Sequence, residues 1–220
     1  MKAVIFDLDG VITDTAKYHF IAWKKLAASI GIQFDETFNE QLKGISRMDS
    51  LQRILKLGNR LNDFTIEEKE KLAEQKNNEY VKLIAAITPQ DLLPGIASFL
   101  KELKDSKIKI GLASASKNGP SILERLQIAS YFDTIVDPGQ LKKGKPDPEI
   151  FRAAAIQLKI IPNECAGIED ALAGIQSING AGMFSVGVGV PLEAQPDWRV
   201  KSTGDLTLGE LKMHFRQKNL

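Results

Sequence analysis

Short apolar runs that end in small or acidic residues recur along this chain, and each reads as a buried parallel strand opening into a loop. Ala3 to Phe6 leads into Asp7-Leu8-Asp9-Gly10, Ile108 to Ala113 into Ser114, Thr134 to Val136 into Asp137, and Cys165 to Ile168 into Glu169-Asp170; Met183 to Val188 is a fifth run. Between them lie helical patterns. Ile96, Phe99, Leu100 and Leu103 keep the i, i+3, i+4, i+7 spacing, as do Phe151, Ala154, Ala155 and Leu158, with Asp147 expected at the N-cap and Pro148 at the first helical position. From about residue 90 onward helix and strand alternate, which predicts a doubly wound α/β sheet.

Residues 15–88 break that alternation. Phe20, Trp23, Leu26, Ala27 and Ile30 form one amphipathic stripe, Leu51, Ile54 and Leu55 a shorter one, and Tyr80, Leu83, Ile84 and Ile87 a third. The segment reads as all helix, inserted between the first strand and the rest of the sheet, above the carboxyl ends of the strands where open α/β sheets bind ligands. Thr88-Pro89-Gln90-Asp91 is the expected return hinge. The predicted organisation is a core of residues 1–14 and 89–220 with a helical cap of 15–88.

Composition narrows the setting. With 220 residues, 43% hydrophobic and 26% charged, the chain reads as a soluble globular protein able to bury a sizeable core. Twenty-nine basic against 28 acidic residues give a formal charge of +1, so no general field draws nucleic acid or an anionic membrane. The lone Cys165 excludes an intramolecular disulfide and Cys-rich zinc patterns. MKAVIFDLDG has too few apolar residues and too many acids for a signal peptide, and cytoplasm is the expected compartment.

The chemistry-bearing residues fall at the strand ends. If the first strand stays extended, Asp7 and Asp9 point to the same side and act on one substrate atom; the same Asp-x-Asp-Gly also suits a plain Asx turn. Glu169-Asp170 ends another apolar run, so carboxylates from two strands converge at one sheet edge and repel without a cation. Their hard oxygens favour Mg²⁺ over Zn²⁺. Ser114-Ala115-Ser116-Lys117-Asn118 offers hydroxyls, N–H groups and an ammonium to an anion, although Ser and Asn there also serve as caps. Lys145, ordinarily a surface lysine, is restricted by Pro146 and Pro148.

Asp7-x-Asp9-Gly10, Ser114, Lys145-Pro146 and Gly167-Ile168-Glu169-Asp170, in that order, resemble the four motifs of the haloacid dehalogenase-like superfamily. Within it, Val11 to Ala16, His19, Leu42 to Arg47, Gly111 to Ser116 and Gly144 to Pro148 are similar to the β-phosphoglucomutase family. The resemblance thins after about Pro191. It implies a Rossmann-like core with a helical cap, Asp7 as a nucleophile that becomes an aspartyl phosphate, and Asp9 as general acid and base. Mg²⁺ would be held by Asp7, the Asp9 carbonyl and the Glu169-Asp170 pair, with Asp170 favoured as the direct ligand because neighbours on a strand face opposite ways. Ser114, the Ala115 N–H and Lys145 would cage the transferring phosphoryl. The resemblance also assigns a distal phosphate to Arg47 with Ser116, Lys117 and Asn118, counts His19, Trp23, Gly44, Ser50 and Lys76 as substrate-binding, and makes His19 and Lys76 cap residues that link sugar binding to closure. Taken alone, Arg47 also suits a solvent-facing arginine, His19 a structural histidine and Trp23 the cap core. Thr15 would lie at the hinge of a cap whose closure excludes water. Met48 stands where many relatives have an acidic residue.

Three functions fit this reading: a monomeric, Mg²⁺-dependent mutase interconverting β-glucose 1-phosphate and glucose 6-phosphate, a capped sugar phosphatase, and a binding module that retains only the fold. Intact Asp7, Asp9, Ser114, Lys145 and Asp170 speak against the third.

Overall fold

The computed structural model describes residues 1–218 and divides into two compact units, one formed by Met1–Asp14 with the chain from Ile87 onward, the other by Thr15–Ala86. Strand β1 (Ala3–Phe6) is buried along its whole length, hence its unbroken apolar run.

The second unit is helical: α1 (Ala16–Ser29), α2 (Glu36–Asn39), α3 (Arg47–Leu57) and α4 (Ile66–Ile84). Trp23, Leu26, Leu51, Ile54 and Ala73 share its core. Side chains fix the helix starts. Asp35 accepts from the Phe38 N–H, Ser46 from the Asp49 N–H, and Thr65 with Glu68 forms a capping box. The third apolar stripe is therefore the tail of a 19-residue helix whose charged opening, Glu67 to Lys71, hid it from the pattern. That helix stops at Ile84, and Ile87 belongs to the other unit; Thr88 precedes Pro89, a position disfavoured in a helix.

The first unit continues with α5 (Ile96–Asp105), β2 (Lys109–Leu112), α6 (Gly119–Arg125), β3 (Thr134–Ile135), α7 (Glu149–Leu158), β4 (Cys165–Glu169), α8 (Leu172–Ala181), β5 (Phe184–Val188), β6 (Trp198–Val200) and α9 (Leu208–Lys218). The sheet runs β3-β2-β1-β4-β5-β6, parallel throughout. From β1 the chain moves outward through β2 and β3, then returns to lay β4 on the other side of β1. The strand order thus reverses between β1 and β4, where Phe6 pairs with Ile168, and a crevice opens at such a switch point. Ala154, Ala155, Ile175 and Ile178 pack on one face of the sheet. On the other, Phe6 meets Phe99 and Phe132 edge to face at 5.9 and 6.3 Å.

One local expectation is corrected, and the structure adds detail at two further places. α7 begins at Glu149, one residue late, although Asp147 Oδ1 still accepts from the Glu149 N–H at 3.0 Å. The expected hinge is a short 3-10 turn strapped within its own unit: Asp91 accepts from the Thr88 N–H at 2.9 Å, and Thr13 Oγ1 donates to the Asp91 carbonyl at 2.7 Å. Beyond Pro191, where the sequence carried no readable motif, β6 completes the sheet and α9 buries Leu208, Leu211 and Phe215. Among the described residues no helix is long and apolar enough to cross a membrane.

Candidate active site

β1 ends at Phe6, so strand extension is not what presents Asp7 and Asp9. The Asp7 N–H still donates to the Ile168 carbonyl at 2.9 Å, holding Asp7 in register beside the end of β4. From Leu8 the chain turns tightly: the Ile12 N–H donates to Leu8 at 2.8 Å and the Gly10 N–H to Thr13 at 2.9 Å. Asp9, half-buried, is carried by this turn. Gly10 is required twice over. Its φ is +71°, and a Cβ there would stand 2.1 Å from Asp170 Oδ2. The turn thereby brings the Asp170 carboxylate against the β1 loop.

Between the two acidic segments stands Lys145, 2% exposed. Its ammonium donates to Asp7 Oδ1 at 2.7 Å and Glu169 Oε1 at 2.5 Å, and lies 5.1 Å from the centre of the Phe151 ring. Glu169 is fully buried; its Oε2 accepts from the Asp170 and Ala171 N–H groups, both at 2.9 Å. Gly174 makes room for it, since a Cβ there would fall 1.9 Å from Glu169 Oε1. Burial, then the neighbouring charges of Glu169 and Asp9, push Asp7 up to about 8 in spite of Lys145. For Lys145, burial works against the ammonium, but Asp7 and Glu169 together hold it above its ordinary range.

Asp7, Glu169 and Asp170 each offer a carboxylate oxygen, and these lie within 4.8 Å of one another. An all-oxygen set of this kind, with more carboxylate charge than Lys145 offsets, fits Mg²⁺. The fit is supported by the gap at Gly10 that admits Asp170.

At the end of β2, the Ala113 N–H donates to the Phe6 carbonyl at 2.8 Å, and Ser114 follows, 2% exposed. Ser114 Oγ accepts from the Ser116 N–H at 3.1 Å, and Ser116 Oγ from the Asn118 N–H at 3.2 Å. These turns leave the Ser114 hydroxyl proton available as a donor. Ala115 and Asn118 are half-buried. Lys117 is exposed and lies over the turn at Gly139, where a Cβ would come within 3.0 Å of its Nζ.

The helical unit gathers a second set. Lys76, 2% exposed, places its Nζ 2.7 Å from His19 Nδ1, 4.8 Å from the Trp23 ring centre and 4.7 Å from that of Tyr80. The Tyr80 ring lies against His19, tilted by 36° with ring centres 4.0 Å apart, and its hydroxyl meets buried Thr15 Oγ1 at 2.9 Å. Burial, then Lys76 and Arg47, hold His19 well below its ordinary range, so its imidazole is neutral. Arg47 opens α3 and donates to Asn77 Oδ1 at 2.8 Å; Gly44, at φ +72°, turns the chain ahead of it, and Ser50 Oγ donates to the Ser46 carbonyl at 3.0 Å. Tyr80 and Asn77 were not singled out in the sequence. Tyr80 passed for apolar stripe, although it lies one turn beyond Lys76 on α4.

A parallel sheet with carboxylates and a buried lysine at its switch point, and a helical segment inserted after its first strand, defines the Mg²⁺-dependent phosphate-transferring enzymes that work through an aspartate. The haloacid dehalogenase-like hydrolase model matches residues 1–182. A β-phosphoglucomutase of Bacillus subtilis (strain 168) is 55% identical over 99% of this chain and 96% of its own length. The crystal structure of a β-phosphoglucomutase from Clostridium difficile superposes with a TM-score of 0.97 at 52% identity, covering 100% of this chain and 99% of the other. A phosphorylated carbohydrates phosphatase of Thermotoga maritima is 31% identical over 83% of this chain and 82% of its own length. The chain belongs to the β-phosphoglucomutase family within the haloacid dehalogenase-like hydrolases.

Proposed function

We propose that this protein is a phosphomutase that interconverts β-glucose 1-phosphate and glucose 6-phosphate through an aspartyl phosphate and β-glucose 1,6-bisphosphate. The observation that carries the reading is the contact of the buried Lys145 ammonium with Asp7 Oδ1 at the switch point of the sheet, in a chain 55% identical to a β-phosphoglucomutase.

Asp7 is the nucleophile. One of its oxygens bonds to phosphorus while the sugar–phosphate P–O bond breaks, and Asp9 gives a proton to the leaving oxygen. In the return step Asp9 removes the proton from the attacking sugar hydroxyl, and the phosphoryl leaves Asp7. Ser114 Oγ–H, the Ala115 N–H and Lys145 hold the phosphoryl oxygens as their charge redistributes. Asp7, the Asp9 carbonyl and Asp170 would hold Mg²⁺, which neutralises phosphate charge when bound. Glu169 stands behind them, since three donors, Lys145 and two N–H groups, already occupy most of its roughly four acceptor positions.

Arg47, with Ser116, Lys117 and Asn118, takes the phosphate that is not being transferred. Arg47 suits this as a planar two-nitrogen fork. With Nδ1 facing the Lys76 ammonium, neutral His19 carries its proton on Nε2 and donates it to the sugar; Lys76, Gly44 and Ser50 shape the same sugar site, and Trp23 walls Lys76. Thr15, held by Tyr80, is the hinge. The reading places the enzyme in the cytoplasm as a monomer, with no nucleic-acid or membrane partner.

A sugar phosphatase is the second reading, favoured by the Thermotoga maritima relative. Incubation with β-glucose 1-phosphate, Mg²⁺ and catalytic glucose 1,6-bisphosphate separates the two. Glucose 6-phosphate is the expected product, and a predominance of inorganic phosphate would favour the hydrolase.

A further inference from the structure

Lys145 stands in the middle of a loop, yet its ammonium is set to within 2.7 Å of Asp7 Oδ1 and 2.5 Å of Glu169 Oε1. Something must order that loop, because a freely moving segment would dilute the productive position of its tip. The first residue of α7, Glu149, supplies the restraint. Its carboxylate accepts from the Lys142 N–H at 3.1 Å through both oxygens and from the Lys143 N–H at 2.8 Å through Oε2. The chain from 142 to 149 is thereby closed into a ring with Lys145 at its tip. Inside the ring the Asp147 N–H donates to the Gly144 carbonyl at 3.0 Å. From behind, Ser177 on α8, fully buried, donates its hydroxyl to the Asp147 carbonyl at 2.7 Å. α8 follows directly on Glu169 and Asp170, so the same helix is tied to both the acidic segment and the lysine loop.

We propose that Glu149, backed by Ser177, is a positioning residue for phosphoryl transfer: its carboxylate closes the 142–149 loop and fixes Lys145 Nζ against Asp7. The proposal rests on the reading of Lys145 as a ligand of the transferring phosphoryl. Charge-assisted bonds from a carboxylate to backbone N–H groups are roughly twice as strong as neutral ones. An acidic residue in the first turn of a helix is also favoured by the helix dipole, a role that would leave the reaction untouched.

The two roles separate in Glu149→Ala, with Glu149→Gln as the variant that keeps an acceptor oxygen. The kinetic arm uses hydrolysis of acetyl phosphate with Mg²⁺, which requires Asp7 and Lys145 but no sugar; a wild type that turns acetyl phosphate over without making glucose 6-phosphate would sink the mutase reading and leave this comparison standing. Glu149→Ala is expected to lower kcat by about 10–100-fold, the range for residues that orient an active-site group, with KM within about threefold. Glu149→Gln should recover much of that loss, and amide exchange at Lys142 and Lys143 should quicken by about tenfold or more in Glu149→Ala. The proposal is overturned by a kcat within about threefold of wild type, a change confined to KM, unaltered exchange at both amides, or equal loss of kcat and thermal stability in the two variants.

Discussion

His19 shows how burial and neighbouring charges set the state of a side chain. Burial disfavours its charged form, and the ammonium of Lys76 at 2.7 Å adds repulsion. An unfolded chain protonates histidine near pH ~6.5. Below that value it takes up a proton that the folded protein refuses, so the stability His19 contributes is lost on acidification. Lys76→Met removes the repulsion, and the His19 pKa should rise; an NMR titration of the ring proton checks this, with His214 as the second histidine in the same spectrum. An unchanged or lower value would mean that Lys76 does not govern His19. Asp7 runs the other way. Its folded value of about 8 lies above the ordinary 3.8, so its contribution is complete below the latter and lost as pH rises through the former. Asp7→Asn cannot ionise, and without metal at pH 8.5 it should melt at a higher temperature than wild type while losing all turnover, the trade expected when a strained functional group is removed. A lower melting temperature would contradict the charge balance described for Lys145 and the carboxylates.

At the scale of elements, the turn from Leu8 to Thr13 matters most, since it replaces the extended strand that the sequence suggested. Gly10→Ala would strain a left-handed backbone by about 1–2 kcal/mol and drive its Cβ into Asp170. Mg²⁺ affinity and kcat should each fall by about tenfold or more, as for other changes behind metal ligands. Wild-type Mg²⁺ affinity in a calorimetric titration of this variant would remove Asp170 from the site. The buried strands were legible because full burial leaves uninterrupted apolar runs: β1, β2 and β4 were each found with their acidic or hydroxyl ends. The rest was hidden for physical reasons. The first half of α4 is charged and exposed, β6 has only three residues, and the partners of Lys145 and Lys76 are 24 to 138 and 57 residues away. Sequence periodicity does not encode such separations. Glu149 escaped notice because what it holds is backbone N–H, which carries no residue signature.

For the whole molecule, the motifs sit in two units that fold around separate cores, and the proposed chemistry divides between them: phosphoryl transfer on the sheet unit, the sugar contacts and Arg47 on the helical one. Arg47→Ala should therefore lower mutase turnover by about 100-fold or more, as expected for loss of a bidentate phosphate contact, while hydrolysis of acetyl phosphate stays within about threefold. Equal loss of both activities would make Arg47 structural. The account stands or falls on Asp7 becoming phosphorylated, because a carboxylate in that position that never bonds to phosphorus would reduce the buried lysine and its acids to a structural ion cluster. Rapid quench of the Mg²⁺-loaded protein with ³²P-labelled β-glucose 1,6-bisphosphate, followed by acid-stable peptide mapping, tests it most directly. The label should appear on the peptide carrying Asp7, leave with added β-glucose 1-phosphate and be absent from Asp7→Asn. Label on another residue, or glucose 6-phosphate formed by Asp7→Asn at the wild-type rate, would contradict it.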